Sequence, residues 1–184
     1  MLVGGQLASA FGVYWGEMER CRQSKAYWAL LHVTVCIPDI CGALESNNGE
    51  ARRSRYISWS DTYLPDSLLS GAERYQMRCK VLHQGRAALG APGRYTGFSF
   101  AQPASTGRLD HRRIQGSTLI LDAGELSKEV EAGANKWIAA VEATPSTPAA
   151  LNVEKHLPSL VQVRQFLAPA RIDDFEPIII NRTS

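Results

Sequence analysis

Ser70-Gly71-Ala72-Glu73-Arg74-Tyr75-Gln76-Met77-Arg78-Cys79-Lys80-Val81-Leu82-His83-Gln84-Gly85 is the stretch on which the reading of this chain turns. Ser70 followed three residues later by Glu73 is a capping box: the serine oxygen accepts from a free backbone amide, and the glutamate reaches back. A helix therefore starts at Ser70, with Tyr75, Cys79 and Leu82 on its core face. Gly85 can end it, because glycine takes the left-handed conformation that closes helices. The rest of the chain can be read outward from this capped helix.

On its N-terminal side, Arg53 to Leu64 carries Tyr56, Trp59 and Tyr63 at helical spacing, a single aromatic stripe closed by Pro65. Ser24 to Glu45 is apolar nearly all round, as suits a central helix. Pro38 lies inside it and predicts a kink or break near Ile37, since proline lacks a donor and clashes with the preceding turn. Ser46-Asn47-Asn48-Gly49 stops it. Ala8 to Arg22 places Phe11, Tyr14, Trp15 and Met18 on one face of an amphipathic helix. On the C-terminal side, Tyr95 to Phe100 and Ser117 to Leu121 read as two short strands, a small β-hairpin over about 95–121. Gly124 to Glu142 reads as a further helix. Ala143 to Ala150, with its Thr-Pro-Ser-Thr-Pro run, reads as a linker, and the remainder, punctuated by Pro158, Pro169 and Pro177, as a tail. In that tail Leu160 to Leu167 and Ile178 to Ile180 are short apolar runs that could dock as strands or on a partner. The expected fold class is thus mainly α, a helical bundle over 1–142 with a small hairpin, followed by a proline-rich tail over 143–184.

The 184 residues suffice for one domain with a real core. Apolar residues make up 45% and charged residues 21%, which is ordinary for a globular protein. A net charge of +2 does not by itself mark a nucleic-acid binder, but the charge is clustered. Arg52, Arg53 and Arg55 form one group; Arg74, Arg78, Lys80 and Arg86 surround His83. Either group could equally be a solvated helix face. Cys21, Cys36, Cys41 and Cys79 form no Cys-x-x-Cys pair, which argues against a zinc ribbon or a thioredoxin-type centre. No metal or other cofactor is expected. Residues 1–10 lack a basic region followed by a long apolar run, no stretch has the ~18 uncharged apolar residues of a membrane span, and the thiols look free; the expected setting is the cytoplasm, away from membranes.

Arg78 and His83 are the pair suited to chemistry. Cutting RNA without a metal needs a base for the ribose 2′-hydroxyl and a cation for the phosphate. Histidine titrates near neutrality, and arginine forks onto phosphate oxygens. Positions i and i+5 lie about 140° apart around a helix, so one straight helix should present the two poorly. Two copies about a two-fold axis would solve that, which predicts a homodimeric site. Other readings stand beside this one. His83 can simply favour a helix C-terminus, and Arg78 can pair with Glu73 or Asp61. Asp39, after Pro38, is expected to cap rather than reach the site. His32 is expected to be a hydrogen-bonded core residue, and His111, with Arg108, Arg112 and Arg113, a solvated hairpin tip. The Trp and Tyr residues are expected mostly in the core.

An Arg, four intervening residues and a His late in a helix resembles the signature of HEPN domains, which are all-helical bundles, many of them ribonucleases. The run Tyr75-x-x-Arg78-Cys79 leading to His83 and Gly85 is similar to that of bacterial HEPN-like proteins, and the likeness spans about residues 8–90, more loosely to 142. The resemblance implies Arg78 and His83 as catalytic residues, supported by Cys79, Tyr75, Arg86 and Asp61. It implies RNA as substrate, a homodimer, and an antitoxin or defence-system partner protein in a toxin–antitoxin or phage-defence setting. Two positions depart from the family pattern. Cys79 stands where many active members carry Asn, Asp or His. Gly85 stands where one toxin class carries a Tyr modified by nucleotidylation. The alternatives are a non-catalytic RNA-binding or protein-interaction module of the same fold, and a structural subunit of a larger assembly.

Overall fold

The computed structural model describes residues 5–84, 94–102 and 110–160. In chain order these form α1 (Gln6–Gln23), α2 (Tyr27–Leu44), α3 (Arg53–Tyr63), α4 (Gly71–Gln84), β1 (Gly97–Ala101), β2 (Arg113–Gln115), β3 (Thr118–Asp122), α5 (Ala123–Ala143) and α6 (Pro148–His156), with a short 3-10 turn at Leu157–Ser159. The chain is therefore mainly helical with one small sheet. Gly85, Arg86 and Arg108, and the tail from residue 161 with its apolar runs, lie outside the described residues.

Helix α2 is the centre, as its all-round apolar sequence implies. It packs against α1, α3, α4, α5 and α6. It is, among the described residues, the one helix long and apolar enough to cross a membrane by length and composition, although Asp39 within it keeps it from being an uncharged run. Half of it is nonetheless buried inside the protein. Pro38 does not break it, for the helix is continuous from Tyr27 to Leu44. Its start is set by Lys25, whose φ of 58° is left-handed and ends the preceding turn.

Two apolar clusters share α2. One joins Phe11, Met18, Leu30, Ile37 and Cys41 to Trp137 on α5 and Val153 on α6. The other joins Leu31 and Val35 to Met77 and Val81 on α4 and to Phe98, Leu119 and Leu121 of the sheet. The core face of α4 is therefore Arg74, Met77 and Val81, whereas Tyr75, Cys79 and Leu82 are half-buried at its flank. The helix is rotated from the expected face because Arg74 turns inward to Asp66.

The sheet differs from the expected hairpin. Its order is β1-β3-β2. The two expected strands lie side by side but parallel, Gly97 opposite Thr118 and Ala101 opposite Asp122. The hairpin is instead formed by β2 and β3, turning at Gly116 with φ 59°. A glycine there adopts the left-handed backbone a tight two-residue turn demands. β3 runs directly into α5, capped by Asp122 Oδ1 accepting from the Glu125 amide at 2.9 Å.

The segment read as linker and tail contains α6. Thr147 Oγ1 accepts from the Ala150 amide, and Pro148 occupies the first turn, where its missing N–H costs nothing. Ala150 and Val153 are fully buried. The helix is also tied to the end of α2: Asn152 Nδ2 donates to the Glu45 carbonyl at 2.9 Å and to Asn47 Oδ1 at 3.0 Å, and Lys155 Nζ to the Asn47 carbonyl at 3.2 Å. Trp137 Nε1 donates to Glu45 Oε1 at 2.7 Å.

Candidate functional site

The capping box forms as the sequence implies. The Ser70 amide donates to Glu73 Oε2 at 2.8 Å, and the Glu73 amide to Ser70 Oγ at 3.3 Å. Asp61 adds a second cap, accepting from the Gly71 amide at 2.6 Å. Asp61 thus fixes the start of α4 and does not approach Arg78. Arg78 follows about two turns later, and His83 lies in the exposed last turn.

Arg78 and His83 meet within one chain. Arg78 NH1 lies 2.9 Å from His83 Nε2. The helical-wheel angle describes where Cβ atoms point; it takes no account of the reach of an arginine, whose long side chain swings across the turn. The same guanidinium donates through Nε to Asp39 Oδ2 at 2.6 Å. Asp39, expected as a cap on α2, is thus the carboxylate that holds Arg78, in place of Glu73 or Asp61. Arg78 and Asp39 are 20% and 13% exposed, so the pair sits in a shallow recess open to solvent.

The direction of the contact to His83 follows from chemistry. Arginine has only donors, so His83 Nε2 must accept with its lone pair. The imidazole is neutral in this arrangement, with its proton on Nδ1. The charges in the recess are unevenly matched. Burial pushes the Asp39 carboxyl up, and Arg78 only partly offsets this. Burial also works against the Arg78 charge, but Asp39 and then Cys79 outweigh it and hold the guanidinium more firmly protonated.

Cys79 lies close enough to Arg78 and to the Tyr75 hydroxyl to influence the ionisation of both. The Cys79 contact, then burial, raises the Tyr75 pKa. Tyr75 stacks edge-on with Tyr56 at 5.4 Å and lies under the Arg53 guanidinium at 5.9 Å. Of the expected site residues, Arg78, His83, Cys79 and Tyr75 come together, Asp61 does not, and Arg86 is outside the described residues. Asp39 completes the group. Its only sequence signal was its place beside Pro38 in an otherwise uncharged helix.

A second polar centre lies between β2, α5 and the α3–α4 connection. His111, expected at a solvated tip, is 7% exposed. Its Nδ1 accepts from the Asp122 amide at 3.1 Å, so the ring proton is on Nε2, 3.1 Å from Glu129 Oε1. Arg112, at φ 58°, forks onto Glu129 at 3.0 and 2.9 Å and also reaches Asp66. Asp66 pairs in turn with the buried Arg74. Arg74 is therefore no part of a basic cluster around His83. His32 keeps the expected hydrogen bond, from Nδ1 to the Trp28 carbonyl at 2.8 Å, yet is half-exposed and stacked on Trp28, which is itself 56% exposed. Trp59, Trp137, Tyr56 and Tyr95 are in the core.

Among the described residues, no group of three or more His, Cys, Asp or Glu side chains comes together as a metal centre. All four cysteines are free thiols. Compared with known proteins, the chain matches no family model, no curated protein and no solved structure.

Proposed function

We propose that the chain is a metal-independent endoribonuclease of the HEPN type, acting on RNA in the cytoplasm in a toxin–antitoxin or phage-defence setting with an antitoxin or defence partner. The observation that carries this reading is the Asp39–Arg78–His83 contact at 2.6 and 2.9 Å. It unites the two groups that 2′-hydroxyl attack requires, a neutral imidazole and a fixed cation. Resting, His83 Nε2 is occupied by Arg78. A phosphodiester is a stronger partner for a guanidinium than a neutral imidazole is. Substrate phosphate therefore draws NH1 away and frees the lone pair where the 2′-hydroxyl arrives. His83 takes the hydroxyl proton, the 2′-oxygen bonds to phosphorus, and the bond to the 5′-oxygen breaks. The products are a 2′,3′-cyclic phosphate and a 5′-hydroxyl, the leaving oxygen taking its proton from water. Asp39 keeps the guanidinium plane fixed throughout.

Because Arg78 and His83 meet within one chain, the reading no longer depends on a homodimer. Dimerisation becomes a separate question, answered by sedimentation. The test of catalysis is incubation of the purified chain with mixed RNA in chelator. Wild type is expected to leave cyclic phosphate ends, and His83→Ala and Arg78→Ala to leave RNA intact. Identical products from wild type and His83→Ala would overturn the reading. A second reading, a non-catalytic RNA-binding or interaction module, is motivated by Cys79. RNA binding without any cleavage would favour it.

A further inference from the structure

We propose that the groove between α1 and α2 is a nucleobase subsite, so that the site takes single-stranded RNA, with an unpaired base in this groove and the adjoining phosphates on the arginines of α3. The inference rests on the ribonuclease reading of the Asp39–Arg78–His83 site beside it. The groove has a volume of about 350 Å³ and is lined by Val13, Tyr14, Glu17, His32, Val33, Cys36 and Ile40. That is the small end of the ~300–1,000 Å³ usual for ligand sites. Glu17 is paired with Arg20, and the remaining walls are mostly aliphatic and aromatic, which suits a flat ring that needs a surface to stack on. The exposed Trp28 ring, 4.7 Å from His32, extends that surface.

Position ties the groove to the chemistry. His32 and Asp39 are two turns apart on nearly the same face of α2, about 10 Å. Cys36, between them, feels the charges of both Asp39 and Arg78. On the other side of the site lie Arg52, Arg53 and Arg55, all exposed and without an ion pair among the described residues. Arg53 lies over Tyr75, and Arg55 packs where Gly42 of α2 leaves room, its Cβ 3.2 Å from where a side chain at Gly42 would begin. The order across the surface is therefore stacking groove, catalytic recess, cationic strip. Single strands are held in this way, bases on rings and backbone on cations. A paired base cannot enter, because it is stacked and its edge is engaged inside the duplex. The other large cleft, lined by Arg74, Arg112 and Glu129, has those charges committed to one another and to Asp66.

The test uses the full chain carrying His83→Ala, so that binding is read without cleavage. Fluorescence anisotropy is measured with a labelled single-stranded RNA and with its duplex. The single strand is expected to bind at least about tenfold more tightly. Val33→Glu, and independently His32→Ala, is expected to erase most of that preference. Arg53→Ala with Arg55→Ala is expected to weaken both RNAs and to reduce the salt slope by about 0.7 per arginine. A measurement on the unaltered groove guards against misfolded variants: bound single strand should slow maleimide labelling of Cys36, mapped by mass spectrometry, and duplex should not. Equal binding of strand and duplex, or a Cys36 rate indifferent to RNA, would overturn the proposal. So would groove variants that change only the sedimentation coefficient, which would make the groove a contact between copies of this chain. Single-strand preference without cleavage by wild type would instead defeat the ribonuclease reading and leave the groove standing. Cleavage that ignores the groove variants would do the reverse.

Discussion

Two centres in this molecule are built from the same residue types, an arginine, a histidine and a carboxylate, and they differ in how fully those groups are engaged with one another. At Glu129 the arginine forks onto the carboxylate, and both nitrogens of His111 are engaged, one by a backbone amide. Nothing is left for a substrate to take. At Asp39 the arginine makes one short bond, and His83 stands exposed with one nitrogen held by a contact that a phosphate can displace. The carboxyls respond in opposite ways. Burial raises Asp39 beyond what Arg78 recovers. At Glu129 burial also acts upward, but the hydrogen bonds from Arg112 and His111 prevail and the carboxyl is held low. Residue types therefore do not distinguish a site from a brace. Whether the hydrogen-bonding capacity is already filled does.

Histidine exchange tests that contrast most strongly. On the ribonuclease reading, His83→Ala should cut RNA cleavage by about 10²- to 10⁴-fold with little change in melting temperature. His111→Ala should leave kcat near wild type. If cleavage tracks His111 instead, the assignment of the two centres is reversed. Asp66→Ala should cost about 3–5 kcal/mol in urea unfolding, because it strips the buried Arg74 of its carboxylate. His111→Ala should cost about 1–3 kcal/mol by the same measurement, leaving the Asp122 amide without an acceptor. The smallest effect concerns acid. Glu129 is lowered from 4.5, so its contribution to stability is full above that value and is lost as pH falls through the lower folded value. Asp39 is raised, so the folded chain takes up its proton more readily; that group favours folding at low pH, and the benefit fades as pH rises through the folded value. Glu129→Gln should flatten the acid limb of the stability curve, and Asp39→Asn should steepen it. Matching curves for the two variants would break the comparison.

Local rules were readable where the partners are close in sequence. The Ser70–Glu73 box and helices α1, α2, α4 and α5 follow from spacing alone, because capping and amphipathicity are near-neighbour effects. Thr147-Pro148 carried an equally plain helix start, which the prolines around it disguised as a linker. Pairing across the chain was not readable. That β1 lies parallel to β3 depends on the crossover between them, and Arg113–Gln115 is too short and too exposed to announce a strand. Asp39 reaches Arg78 across 39 positions, and the burial of His111 follows from where α5 lies. The expectation that one helix presents Arg78 and His83 poorly failed because it treated side chains as directions rather than as lengths.

The clasp between α6 and the end of α2 bears on the order in which the molecule is made. Asn152 and Glu45 are 107 residues apart, so α2 gains this anchor only after nearly the whole described chain has left the ribosome. Contacts of such separation form late, since a long loop must close before they contribute anything. Asp39 rides on α2, and the orientation of Arg78 depends on Asp39. A nascent chain still lacking α6 therefore carries Asp39 on a helix held by α1, α3, α4 and α5, with the C-terminal end of that helix not yet tied down.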